Sequence, residues 1–168
     1  MTMQRRSLLM TVLTASLMGC GFQLRGNVSY GYAFQTIFSG FTPNSPMGVD
    51  FKRQAQGQGL TVFDDAANAD RAQVVLRVNQ EQRERVVVGS GVAGQVREIQ
   101  LRLRFRFSLW TTQGKILLDE VELLQEREQS YSESAALAKE AEEQLLYRDM
   151  QQQIVQQLMR RLSAVKSL

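Results

Sequence analysis

The sequence predicts an α+β fold, a two-layer roll in which one short and one long helix pack on one face of a mostly antiparallel sheet of about four strands. Three observations predict it. Ile99, Leu101, Leu103, Phe105, Phe107 and Leu109 alternate with Gln100, Arg102, Arg104, Arg106 and Ser108, the period-two signature of a strand with one dry face and one wet face. From Ser134 to Val165 neither Gly nor Pro occurs, and Leu137, Ala141, Leu145, Met150, Ile154, Leu158, Leu162 and Val165 trace a helical stripe widened by Tyr147, Val155 and Met159. The early part of the chain is punctuated by Pro43-Asn44-Ser45-Pro46, after which Met47, Phe51 and Ala55 recur at a spacing of four, as in a short amphipathic helix. Helices confined to one side of a sheet cover only that side, so the other face stays open.

The elements follow in order. From Tyr30 to Phe41 aromatic and β-branched residues dominate, which suits a strand. Ser45 is placed to cap the short helix and Pro46 to occupy its first turn, where a missing N–H costs nothing; Gly57 and Gly59 end it. Leu60 to Phe63 reads as a brief strand and Asp64 to Asp70 as a turn-rich connection. Val74, Leu76 and Val78 alternate with Arg77 and Asn79 in a strand from Gln73 to Val88 that becomes charged at Glu81 to Arg85, and Gly89 to Gly94 forms a hairpin loop. Thr111-Thr112-Gln113-Gly114 turns the chain into a last strand, Ile116 to Gln129. There Ile116 and Leu118 share one parity and Val121 and Leu123 the other, so a bulge near Asp119-Glu120 is needed to keep all four on the core side. Ser130 and Glu133 have the spacing of a capping box for the long helix.

With 168 residues the chain suits one domain, and 43% hydrophobic with 22% charged residues is ordinary globular composition. The absence of His and the single Cys exclude imidazole bases, Cys/His metal clusters, catalytic thiols and internal disulfides. No metal or cofactor is expected, and the chain does not read as an enzyme. Loss of Arg5 and Arg6 with the leader lowers the 20 basic residues to 18 against 17 acidic ones, so the high isoelectric point is no argument for nucleic acid.

That leader is residues 1–19. Arg5 and Arg6 precede an apolar stretch from Leu8 to Met18 that ends in small residues, the pattern of a secretory signal. It is too short for a spanning helix, which needs about 20 residues. Leu17-Met18-Gly19-Cys20 has lipobox form, so Cys20 is expected to carry acyl chains after cleavage, with residues 20–29 as a tether and 30–168 as the folded domain. Acyl chains bind a bilayer by about 0.8 kcal/mol per buried methylene and replace a spanning helix. Gly21, rather than Asp, after the Cys favours outer-membrane sorting, on the periplasmic side.

The chain resembles the lipopolysaccharide-assembly lipoprotein family LptE over nearly its whole mature length. The residues that carry the resemblance are Gly19-Cys20-Gly21-Phe22-Gln23-Leu24-Arg25-Gly26, Pro43-Asn44-Ser45-Pro46, Ala136-Leu137-Ala138-Lys139-Glu140 and Tyr147-Arg148-Asp149-Met150 leading into Gln157-Leu158-Met159-Arg160-Arg161-Leu162; their order is the specific signal. The resemblance implies a non-enzymatic heterodimer partner that plugs the outer-membrane β-barrel LptD, assists its assembly and contacts lipopolysaccharide. It places a lipid-contacting basic residue at Lys139. Arg97 and Arg85, flanking the glycine-rich loop, are further candidates for the lipid A phosphates, which Arg binds bidentately. Arg102, Arg104 and Arg106, in a row on the open face, are candidates for contact with the partner. Two other readings compete: an accessory lipoprotein of another envelope secretion or barrel-assembly machine, and a cell-wall hydrolase using Asp119, Glu120 and Glu122, of which Glu120 and Glu122 face the same way.

Overall fold

The structure, a computed structural model, describes residues 31–168. The leader, Cys20 and the tether lie outside the described residues. Strands β1 (Thr36–Gly40), β2 (Thr61–Phe63), β3 (Val74–Ser90), β4 (Val96–Thr111) and β5 (Ile116–Ser130) form one sheet in the order β2-β1-β3-β4-β5, with helices α1 (Pro46–Gly57) and α2 (Ala136–Ser163). The sheet has five strands where the sequence suggested about four, because the brief run Thr61–Phe63 does pair. β1 lies parallel to both β2 and β3, whereas β3, β4 and β5 form an antiparallel meander.

The first strand is shorter than its composition suggests: only Thr36–Gly40 pairs. At Gly40 the backbone of β3 comes so close that a Cβ would collide with the Leu76 carbonyl oxygen, so only Gly fits there. Asn44 turns the chain at φ 63°, and the Ser45 hydroxyl accepts from Gly48 N at 3.4 Å above Pro46. Met47, Phe51 and Ala55 point into the core as their spacing requires.

β4 is the centre of the molecule. Ile99, Leu101, Leu103, Phe105, Phe107 and Leu109 are all buried, and Met150, Ile154, Val155, Leu158, Met159 and Leu162 of α2 join the same core. Two extra residues enter β5. Phe107 pairs with Val121 and Leu109 with Leu118, which puts one bulge at Asp119-Glu120, as the parity switch demands; Trp110 then pairs with Ile116, which puts a second at Leu117. The first bulge keeps Leu118, Val121 and Leu123 against the core. The second turns Ile116 out, leaving it 49% exposed.

Two expectations fail at the start of α2. Ser130 is the last residue of β5 and caps no helix; a short 3-10 turn, Glu133–Ala135, intervenes, and α2 begins at Ala136 without a side-chain cap. Leu137 and Leu145 are 83% and 61% exposed, and Ala141 is exposed as well. The stripe is helical in spacing, but its first half lies above the far parts of β3 and β5, where the helix-facing positions are Arg83, Arg85 and Arg127 rather than apolar residues. From Tyr147 onward the helix is anchored.

This division predicts a contrast in stability. Ile154→Ala, which empties a fully buried site, is expected to cost about 2–5 kcal/mol in a denaturant melt, whereas Leu137→Ala stays within about 0.5 kcal/mol.

Candidate functional site

The face of the sheet turned away from α1 and α2 carries the alternate residues of β3, β4 and β5. Arg102, Arg104 and Arg106 stand in a row there, as the alternation of β4 requires, and each meets acids from the neighbouring strands. Arg102 Nε lies 2.9 Å from Glu126 Oε1 and also donates to Gln100 Oε1 at 2.8 Å. Arg104 bridges Glu122 at 2.6 Å and Glu84 at 3.6 Å, and Arg106 bridges Glu122 at 2.7 Å and Glu120 at 3.7 Å. Cross-strand pairing explains the ladder, since Arg102 stands opposite both Glu84 and Glu126 and Arg106 opposite Glu122. Half-exposed pairs of this kind add little stability singly. What they produce is a flat, polar, internally neutralised surface.

Glu122 sits between two of these arginines. The hydrogen bond from Arg106 is the largest influence on its carboxyl; together with the positive charges of Arg104 and Arg106 it outweighs the opposing effect of burial and holds the group below the usual glutamate value of 4.5. A carboxylate held in this way makes a poor general acid. Glu120 accepts from Asn79 Nδ2 at 3.1 Å and Asp119 from the Glu120 backbone N–H at 2.8 Å, so the three carboxylates considered for polymer hydrolysis act as structural acceptors in the bulge and the ladder.

The three basic residues considered for lipid phosphate lie toward the opposite end of the molecule from the β4–β5 turn, without side-chain contact with one another. Tyr131, the residue after β5, touches two of them: its N–H donates to the Arg97 backbone carbonyl at 2.8 Å and its ring lies 5.3 Å beneath the Arg85 guanidinium. Next to it, Ser130 accepts from Lys139 Nζ at 3.1 Å. Lys139 also pairs with Glu142 at 2.8 Å, a hydrogen bond that, together with one from Gln129, lowers the Glu142 pKa. Arg85 lies 3.5 Å from Glu143, and Arg97 donates to Gln95 at 3.4 Å. Beside them opens a groove of about 510 Å³ bordered by Arg85, Tyr131, Leu137, Glu140, Ala141, Glu143 and Gln144, with two carboxylates to one guanidinium. Sequence reasoning missed Tyr131 and the exposure of Leu137; an aromatic residue at the end of a strand carries no signal of which cations it will meet.

Deeper under α2, the Tyr147 hydroxyl donates to the Glu84 carbonyl at 2.8 Å with Arg83 stacked 4.9 Å from its ring. Burial, followed by the charge of Glu143, pushes its pKa above 10.0, so it remains a donor. No helix among the described residues is long and apolar enough to cross a membrane.

The structure defines a two-layer α+β domain with one helix-covered sheet face and one open face that carries the ion-pair ladder. Comparison with known proteins gives its family. The sequence profile of the family LptE, lipopolysaccharide-assembly, matches residues 34–162, and the chain belongs to that family. It is 30% identical over 149 residues to the LPS-assembly lipoprotein LptE of Yersinia pestis, covering 88% of this chain and 70% of the relative, and equally similar to that of Yersinia pseudotuberculosis. The solution structure of lipoprotein B from Nitrosomonas europaea superposes with a TM-score of 0.67 at 29% identity, over 86% of this chain and 91% of that one. The rare lipoprotein B of Shewanella oneidensis shares the fold alone, with a TM-score of 0.64 at 18% identity over 77% of this chain and 94% of that one.

The ladder makes a sharp titration prediction. The Glu122 carboxyl should titrate below 4.5 by NMR. Its contribution to stability is present above the unfolded value and lost as the pH falls through the lower folded value. In Arg106→Gln the midpoint should return toward 4.5, and an unchanged midpoint would contradict the assignment.

Proposed function

We propose that the chain is an outer-membrane lipoprotein, anchored through acyl chains on Cys20 on the periplasmic side, that docks as a plug in the lipopolysaccharide-transport β-barrel LptD, assists its assembly and helps deliver lipopolysaccharide. Membership in the lipopolysaccharide-assembly family carries the reading. The polar ladder supports it physically: lumen-facing residues of a membrane barrel are polar, and a plug must offer them a surface of matching character. Arg102, Arg104 and Arg106 are the residues of this chain that would meet the barrel. Their ion pairs let them exchange an internal acid for one on the wall without leaving an uncompensated charge.

Lipopolysaccharide would meet the other end. Lys139 lies beside Ser130 and Arg85 above Tyr131, with Arg97 joined to Tyr131 through its carbonyl, and phosphates of lipid A would compete with Glu142 for Lys139 and with Glu143 for Arg85. A Lys ammonium serves there as a point charge and an Arg as a bidentate donor. The groove beside Leu137 adds apolar surface next to the cations. Binding without chemistry is the role this arrangement suits.

Two measurements test this. The lipoprotein purified from detergent extracts of its own cells should bring with it a large outer-membrane β-barrel in comparable amount; its absence would contradict the plug. Purified protein should capture lipopolysaccharide, and Lys139→Glu should weaken capture roughly tenfold, the loss expected for one charge-assisted contact. Unchanged capture would remove Lys139 from the site.

A further inference from the structure

The register of the sheet places a row of apolar side chains across all five strands of the open face, near the end where the chain enters the fold. Phe63 of β2 stands opposite Phe38 of β1, Phe38 opposite Val75 of β3, Val75 opposite Trp110 of β4, and Trp110 opposite Ile116 of β5. Each is only partly covered, and Ile116 is 49% exposed. Cations border the row. Arg71 lies 5.2 Å from the Phe63 ring and Arg77 4.4 Å from the Trp110 ring, while Lys115 precedes Ile116 in the turn. In contrast to the arginines of the ladder, Arg71, Arg77 and Lys115 join no ion pair among the described residues.

The chain enters beside this row. The Gln35 N–H donates to Gln73 Oε1 at 2.6 Å and the Gln35 carbonyl accepts from Thr61 N–H at 2.9 Å, and Thr36 begins β1 two residues before Phe38. From Cys20 to Gly31 the backbone spans at most about 40 Å. The hairpin loop after Ser90 lies at the other end of β3, about 50 Å away along the strand. A bilayer that holds Cys20 therefore lies within reach of the aromatic row, whereas the loop stands a full strand length farther from the point of entry.

Aromatic rings with apolar bodies and polar edges, flanked by basic side chains whose stems lie on apolar surface while their heads stay wet, form the side-chain set that partitions to the headgroup level of a membrane. We propose that the row Phe63, Phe38, Val75, Trp110 and Ile116, with Arg71, Arg77 and Lys115, rests on the interfacial layer of an anionic phospholipid membrane and is a second attachment point beside the lipid on Cys20. The proposal rests on the anchored reading given above and adds an orientation to it: the row faces the headgroups of the periplasmic leaflet at the rim of the barrel, and the ladder lies beyond the row, toward the lumen.

Trp110 is the only Trp and Cys20 the only Cys of the chain, which makes the test direct. The mature protein is coupled through the Cys20 thiol to a maleimide lipid in vesicles of phosphatidylethanolamine and phosphatidylglycerol, with and without brominated phosphatidylcholine. Trp110 emission should shift to the blue on coupling and be quenched by the brominated lipid, and Arg71→Glu with Lys115→Glu should weaken the quenching while leaving the fold and the coupling intact. Emission that stays unshifted and unquenched on coupled vesicles overturns the proposal. So does emission that responds to the barrel partner but not to brominated lipid, because the row is then a protein interface. Mass spectrometry of natively expressed protein reads the acylation of Cys20 separately, so failure of the anchor and failure of the row are distinguishable.

Discussion

The burial of one face of β4 beneath α2 is the interaction from which the rest of the structure follows, because a strand with an unbroken apolar side must be covered and α2 is, among the described residues, the only helix long enough to cover it. Leu101, Leu103, Phe105, Phe107 and Leu109 disappear against Met150, Ile154, Leu158 and Leu162. At about 25 cal/mol per Å² of apolar surface removed from water, burial on this scale is the main force holding the two layers together. Once that face is committed, the period of two sends Arg102, Arg104 and Arg106 to the opposite side. Covered and open faces are two consequences of one alternation.

The open face is then sorted along its length. Toward the strand ends near the chain entry it is apolar and bordered by Arg71, Arg77 and Lys115, which join no ion pair among the described residues; across its middle it is a ladder of arginines and glutamates; past the reach of β1, which pairs only with Val74 to Arg77, the meander extends as three strands toward the glycine-rich loop. The open face thus carries two stretches of different chemistry, while the groove lies on the helix-facing side, between Arg85 and α2. On the open side of the ladder Glu122, Glu120 and Asp119 are occupied by arginines, an amide and a backbone N–H.

Much of this arrangement was legible in the sequence. The alternation of β4 fixed both its buried row and its arginine row, and the change of parity between Leu118 and Val121 located a bulge that the pairing places at the same residues. What could not be read were facts that depend on neighbours far away in the chain. The stripe Leu137, Ala141 and Leu145 has helical spacing, but whether it is buried depends on what β3 and β5 present beneath it, and they present charges. Ser130 and Glu133 have the spacing of a capping box, yet β5 extends through Ser130 and Lys139 uses its hydroxyl. The aromatic row escaped because it is assembled from five strands one residue at a time, through two parallel pairings that no local pattern announces. The placing of Lys139, Arg97 and Arg85 at one end follows from the order of elements, but the stacking of Arg85 on the Tyr131 ring gave no sign in the sequence.

The central claim is that this chain serves lipopolysaccharide assembly by docking rather than by catalysis. Depletion of the protein in its own cells, followed by quantification of lipopolysaccharide at the cell surface, tests it most directly. Surface lipopolysaccharide should fall on depletion and return both with the natural chain and with Glu120→Gln, which retains the fold. Undiminished surface lipopolysaccharide after depletion, or restoration by the natural chain alone, would contradict the account.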